Sequence, residues 1–167
     1  FPSSKVYLKE DFYVSPSNNE AYDFINSWPK WIKRICNIFG PTGSGKTHIA
    51  SLLKNKTSFL EIKSNQLSDK TFFKFKTKEA LIIEDLNEKV DEKLLFSIWN
   101  TSLQDNKYIL ITSSKPIYTY KFKLSDLKSR VNSCVSIGIK LPRDDLIGVI
   151  LAKNFSDKQI KVNKKHI

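Results

Sequence analysis

Gly40-Pro41-Thr42-Gly43-Ser44-Gly45-Lys46-Thr47 fills every specified position of a glycine-rich phosphate-binding loop, and the reading of the chain works outward from it. Arg34 to Phe39, just before it, is a short and mostly apolar run that suits a buried strand, while Ile49, Leu52 and Leu53 follow it at helical spacing. Strand, glycine turn and helix are the setting in which such a loop works. Glycines let backbone N–H groups close on an anion, and the positive end of the following helix favours it. The motif assigns Lys46 to the outer phosphates and the Thr47 hydroxyl to Mg²⁺, with residues 40 to 47 and His48 forming the nucleotide cradle.

Downstream the pattern alternates. Strands are expected at Ser58 to Ile62, Ala80 to Asp85, Tyr108 to Thr112 and Val135 to Ile139, and helices at Asp91 to Leu103 and from Ser125 to Val131. Residues 64 to 78 fit neither period cleanly. Upstream, Ser17-Asn18-Asn19-Glu20 reads as a capping box for a helix whose apolar face is Ala21, Phe24, Ile25 and Trp28, stopped by Pro29. After Pro142 a helix is expected from Asp144 onward. Alternating strands and helices argue for a parallel sheet covered on both faces, with ligands at the carboxyl ends of the strands. That rule gathers the phosphate loop, the adjacent acids Glu84 and Asp85, and residues 112 to 114 at one edge.

Hydrolysis needs more than the loop, because the metal wants an acid and the attacking water wants a residue to orient it. Two consecutive acids at a strand end can divide these tasks. Glu84 is assigned towards Mg²⁺, through water, and Asp85 towards the attacking water; the bland alternative is that one of them only caps a turn. Ser114 is the best placed of the polar residues after the fourth strand to sense the terminal phosphate. Arg130 is one of three arginines in a lysine-dominated chain, and a guanidinium in Leu127-Lys128-Ser129-Arg130 suits charge stabilisation during phosphoryl transfer, though a surface ion pair also explains it.

Composition narrows the classes. The 167 residues, 40% hydrophobic and 27% charged, suit one globular domain, and without a long apolar run or a leader pattern the chain reads as cytoplasmic. Cys36 and Cys134 both fall in expected strands and read as reduced core thiols, with no zinc-ligand spacing. A net charge of +11 invites a nucleic-acid partner, yet most of the excess is lysine spread along the chain. Two stretches sharpen the idea, Lys70-Thr71-Phe72-Phe73-Lys74-Phe75-Lys76 and Tyr118-Thr119-Tyr120-Lys121-Phe122-Lys123, where aromatics alternate with lysines. The commoner outcome is aromatics inward and lysines outward. The absence of methionine and the abrupt end suggest a piece of a longer protein.

Taken together, five segments resemble the AAA+ ATPase module of the DnaA/Hda replication family, most of all the Hda-type regulators. They are Phe12 to Asn18 with Ala21 and Trp28-Pro29, the phosphate loop, Ile83-Glu84-Asp85-Leu86, Ile111 to Pro116, and Leu124 to Arg130. The resemblance implies a P-loop NTPase three-layer α/β sandwich with a five-stranded parallel sheet in the order 5-1-4-3-2, a base domain over 1–142 and the start of a helical lid over 143–167. It implies Phe12, Val14 and Asn18 near the adenine of ADP or ATP, Ser114 as first sensor, and Arg130 as a finger presented to a neighbouring subunit, hence a homo-oligomer. Its partners would be DnaA and the DNA polymerase sliding clamp, its role to promote hydrolysis of DnaA-bound ATP, and its own turnover weak or nil. No clamp-binding peptide is evident before Phe12, and glutamate at 84 stands where many members have aspartate. The alternative is a DnaA-like or helicase-loader ATPase that binds DNA directly; a small-molecule kinase on the same loop ranks last.

Overall fold

A computed structural model describes residues 14–141 of the chain. Five strands form one parallel sheet: β1 (Ile35–Phe39), β2 (Phe59–Lys63), β3 (Ala80–Glu84), β4 (Tyr108–Ser113) and β5 (Val135–Gly138). Five helices connect them or precede them: α1 (Asn19–Asn26), α2 (Lys46–Lys54), α3 (Asp69–Phe75), α4 (Glu92–Gln104) and α5 (Ser125–Ser133). The spatial order is β2-β3-β4-β1-β5, which is the expected order read from the other side.

Period-two alternation on continuously apolar strands decides the layers, because a parallel sheet must bury both faces. Leu81, Ile83, Ile109 and Ile111 face one way, onto Phe75 of α3, Leu95, Ile98 and Trp99 of α4, and Leu127 and Val131 of α5. Ala80, Ile82, Leu110, Cys36 and Ile38 face the other way, onto Ala21 and Ile25 of α1 and Ile49, Leu52 and Leu53 of α2. Each fully buried isoleucine or leucine contributes roughly 1.5–3 kcal/mol of transfer free energy, so these two sheets of contacts hold the three layers together.

Register aligns the strand ends. Phe39 pairs with Ser113 on one side and Gly138 on the other, Ile83 pairs with Ile111, and Lys63 pairs with Glu84. The carboxyl ends therefore form one edge, from which the phosphate loop, residue 85 and residue 114 all emerge.

Three local expectations change. Helix α1 starts at Asn19 with Asn18 at its N-cap, and the Ser17 hydroxyl pairs with that of Ser15 at 2.7 Å, so the capping box placed on Ser17 and Glu20 is displaced by a serine turn. Cys134 does not lie in a strand: α5 runs on to Ser133, Cys134 N–H closes it onto the Val131 carbonyl, and β5 begins one residue later. Residues 64 to 78 resolve into a 3-10 turn at Ser64–Gln66 and helix α3, whose start is bonded by Ser68 N–H to the Thr71 hydroxyl at 3.1 Å. Both cysteines are free; burial raises Cys36 well above the ordinary thiol range and pushes Cys134 up to about 11. The lid assigned to 143–167 and its helix from Asp144 lie outside the described residues.

Candidate nucleotide site

The loop leaves β1 at Gly40 under tight crowding. A Cβ there would meet the Ile139 carbonyl oxygen at 2.5 Å and the Ser44 hydroxyl at 2.8 Å, so only glycine fits between β1 and the end of β5. Gly45 is glycine for another reason, its φ of 100°, with open space where a Cβ would go. The turn is closed by Ser44 N–H on the Pro41 carbonyl, 3.1 Å, and Gly40 N–H anchors it to the Ser113 carbonyl at the end of β4, also 3.1 Å. Pro41, Thr42 and Gly43 are exposed along its rim.

Lys46 folds back over this loop, its ammonium donating to the Gly40 carbonyl and, at 3.3 Å, to that of Pro41. Burial lowers its pKa, while Asp85 and then Glu84 pull the other way. The charge therefore stands over the loop with two acids behind it. His48, half-buried on the first turn of α2, is likewise lowered by burial.

The acids separate as their order on β3 requires. Glu84, the last strand residue, is 8% exposed, and the Thr47 hydroxyl donates towards its Oε2 at 3.5 Å. Its Oε1 is buried with no hydrogen-bond partner among the described residues. Burial raises the Glu84 pKa, Glu61 and Asp85 add to this, and Lys54 and Thr47 oppose it. A buried carboxylate oxygen without a donor beside a threonine hydroxyl is a donor set that suits a hard divalent cation. Mg²⁺ fits, with Thr47 and Glu84 as the residues that would hold it, directly or through water. The Ser44 hydroxyl, also buried and without a hydrogen-bond partner, suits a phosphate oxygen in the same way.

Asp85 steps out of the strand into solvent with φ +58°, a left-handed conformation uncommon for a non-glycine residue. Two bonds to Thr112 hold it there: Asp85 N–H to the threonine hydroxyl at 3.0 Å, and Leu86 N–H to the threonine carbonyl at 2.9 Å. Ser114 follows β4, exposed at the same edge. The segment from Val14 to Asn18 joins this edge through the end of β5, since Lys140 N–H bonds the Ser17 carbonyl at 3.1 Å while Ile139 crowds Gly40. Asn18 is buried, its Oδ1 accepting from Ser15 N–H, and Val14 is 39% exposed. Phe12 lies outside the described residues.

Arg130 is the one described candidate that the structure does not bring to the loop. It is exposed near the end of α5, 6.0 Å from the Phe96 ring of α4, and α5 finishes where Lys33, just before β1, bonds the Ser133 carbonyl. The basic-aromatic stretches divide, part following the inward-facing outcome and part leaving rings in solvent. Phe75 and Phe122 are buried, the Tyr120 hydroxyl bonds the Leu86 carbonyl at 3.0 Å, and Phe73 and Tyr118 remain 65% and 54% exposed.

Asn37 escaped the sequence reading. It lies in the middle of β1, completely buried, with its amide bonded to the β4 exit. The available signal was an amide interrupting an otherwise apolar strand.

A parallel sheet with this loop between β1 and its helix, and acids ending β3 one strand beyond β4, defines a phosphate-loop NTPase fold. Among known proteins the similarity is to the AAA+ domain of DnaA-like replication proteins. No family model matches the chain. It is 29% identical over 187 aligned positions to the chromosomal replication initiator protein DnaA of Borreliella afzelii, an alignment spanning 96% of this chain and 38% of that protein. AMPPCP-bound DnaA from Aquifex aeolicus superposes with a TM-score of 0.70 at 18% identity, over 95% of this chain and 57% of the other. DnaA bound to AMPPCP and single-stranded DNA gives 0.68 at 19% identity over the same shares. DnaI gives 0.62 at 15%, over 81% of this chain and 88% of that one. Among the described residues no helix is long and apolar enough to cross a membrane.

Proposed function

We propose that this chain is the nucleotide-binding core of a DnaA-like AAA+ protein acting in replication initiation, and that it binds adenine nucleotide with Mg²⁺ on residues 40 to 48. The observation that carries the reading is the meeting of Lys46, Thr47 and a half-satisfied buried Glu84 at the loop. When bound, Mg²⁺ supplies charge neutralisation of the outer phosphates. Lys46 exchanges its carbonyl partners for phosphate oxygens. Asp85, held out of the strand by Thr112, orients the attacking water, and Ser114 contacts the terminal phosphate. Val14 and Asn18 line the adenine end. Arg130, exposed and remote from its own loop, is disposed to act on the nucleotide of a neighbouring copy or partner.

The relatives carry the names of initiators and of DnaI, which favours the reading as an initiator or helicase-loader ATPase. The exposed Phe73 and Tyr118 among lysines support direct contact with single-stranded DNA in that case. The second reading is an Hda-type regulator that partners DnaA and the sliding clamp and uses Arg130 on DnaA-bound ATP. The same exposed arginine serves both.

Calorimetry of the chain with ADP and ATP, each with Mg²⁺, tests the core of the proposal. Micromolar binding is expected, and no binding at millimolar nucleotide overturns it. Salt-dependent affinity for single-stranded DNA together with ATP preference selects the initiator or loader; ADP preference without DNA affinity selects the regulator.

A further inference from the structure

The exit of β4 is tied down from beneath by a residue that never reaches the nucleotide edge. Asn37 is 0% exposed in β1, between β4 and β5, and its amide makes three bonds, all to residues 111–117. Its Nδ2 donates to the Ile111 carbonyl at 3.1 Å and to the Ser113 hydroxyl at 2.9 Å, and its Oδ1 accepts from Ile117 N–H at 3.0 Å. The amide can face only one way, because a carbonyl only accepts and a backbone N–H only donates. Ser113 passes the constraint on, its hydroxyl donating to the Lys115 carbonyl at 2.6 Å. Ser114 is thus the exposed apex of a short turn pinned on both sides. The Ser113 carbonyl also receives Gly40 N–H, so the same turn is held in register with the start of the phosphate loop.

A buried amide in an apolar strand is unfavourable unless fully bonded, and a valine or isoleucine would serve the core there at no such cost. What the amide adds is a fixed geometry for the turn. We infer that Asn37 is a positioning residue for Ser114, holding its hydroxyl at a set distance from the loop so that a nucleoside triphosphate is told from a diphosphate. This rests on the proposed role of Ser114 at the terminal phosphate.

The test is calorimetric and needs no turnover: affinities of the full chain for AMPPCP and for ADP, each with Mg²⁺, in Asn37→Leu, Ser114→Ala and the double variant. Asn37→Leu is expected to weaken AMPPCP roughly 5- to 10-fold while leaving ADP within about twofold, to match Ser114→Ala, and to add nothing to it in the double variant. Should Asn37→Leu not fold, Ser113→Ala removes the middle of the relay and carries the same expectation. Equal loss for both nucleotides, or an effect that adds fully to that of Ser114→Ala, overturns the inference and leaves the nucleotide site standing. Failure of the unaltered chain to bind either nucleotide overturns the site itself, and this inference with it.

Discussion

Lys46 and Lys107 make the same kind of contact at opposite edges of one sheet. Each ammonium donates to two backbone carbonyls, Lys46 to those of Gly40 and Pro41, Lys107 to those of Lys76 and Lys78 at 3.1 and 2.6 Å. The difference lies in whose carbonyls they are. Lys107, at the start of β4, reaches across to the turn that delivers β3, and so fastens two neighbouring strands at their amino ends. Lys46 bonds only its own loop and fastens nothing distant. A phosphate can take over its bonds without disturbing the fold. Two acids repeat the lesson. Glu92 accepts from Lys123 N–H and Leu124 N–H at 2.8–3.1 Å and so anchors the entry to α5, whereas Glu84 keeps one buried oxygen without a partner. The bonded groups hold the structure, whereas at the carboxyl edge Glu84 and Ser44 keep buried oxygens unbonded, as the proposed nucleotide site requires.

The strongest way to break that contrast is Lys46→Ala. Nucleotide affinity is expected to fall about 100-fold, close to 3 kcal/mol, while the unfolding midpoint without nucleotide hardly moves. Calorimetry and thermal melting on the same samples decide it, and a large stability loss with affinity preserved would make Lys46 another Lys107. Next in size is Gly40→Ala. Its Cβ meets a backbone oxygen at 2.5 Å, so a cost of roughly 2–3 kcal/mol in chemical denaturation is expected from overpacking at a site that cannot give. Gly45→Ala meets no neighbour, and its cost of about 1–2 kcal/mol comes from φ alone.

These glycines also mark how far the sequence could be read. The loop, the five strands and the edge they share were legible because apolar runs of strand length alternate with helical spacing around one motif, and because a parallel sheet sends its carboxyl ends to one edge. The strand order was legible only through the family resemblance, since periodicity does not say which strands lie side by side. The jobs of individual residues were less so. That Gly40 answers crowding depends on Ile139, about a hundred residues away, whereas Gly45 answers only the backbone angle of its own turn. Asn37 looked like an accident in a buried strand until Ile117 and Ser113 were seen around it. Ser17 lost its place at the helix cap to a contact with Ser15, since short polar side chains bond whichever neighbour the local turn presents. Arg130 could be picked out by its rarity, but its distance from the loop required the course of α5. Function within the fold was the least legible, because the initiator and regulator readings use the same site.

Lys107→Met sharpens the comparison from the other side. Removing the ammonium leaves two turn carbonyls at the amino edge to water, and a loss of about 1 kcal/mol is expected with nucleotide affinity unchanged. An altered affinity would show the two edges to be coupled through β4.

The smallest effect is a pH dependence at Glu84. Its carboxyl is raised above the ordinary glutamate value by burial first and by Glu61 and Asp85 next. In the unfolded chain the same group ionises at its ordinary value, so between the two values the folded protein keeps a proton that the unfolded one has released. Stability therefore falls as pH rises through that interval, and the loss is complete above the raised value. Glu84→Gln keeps the shape and removes the charge, so the nucleotide-free variant is expected to match the unaltered protein near pH 4 and to exceed it near pH 8. Magnesium nucleotide is expected to reverse the order, since it stabilises more strongly the protein whose carboxylate can meet the cation. Denaturation midpoints at the two pH values, with and without the nucleotide, check both halves. Identical pH profiles for the two proteins would mean that Glu84 is as well satisfied as Glu92, and the reason for placing a cation beside Thr47 would be gone.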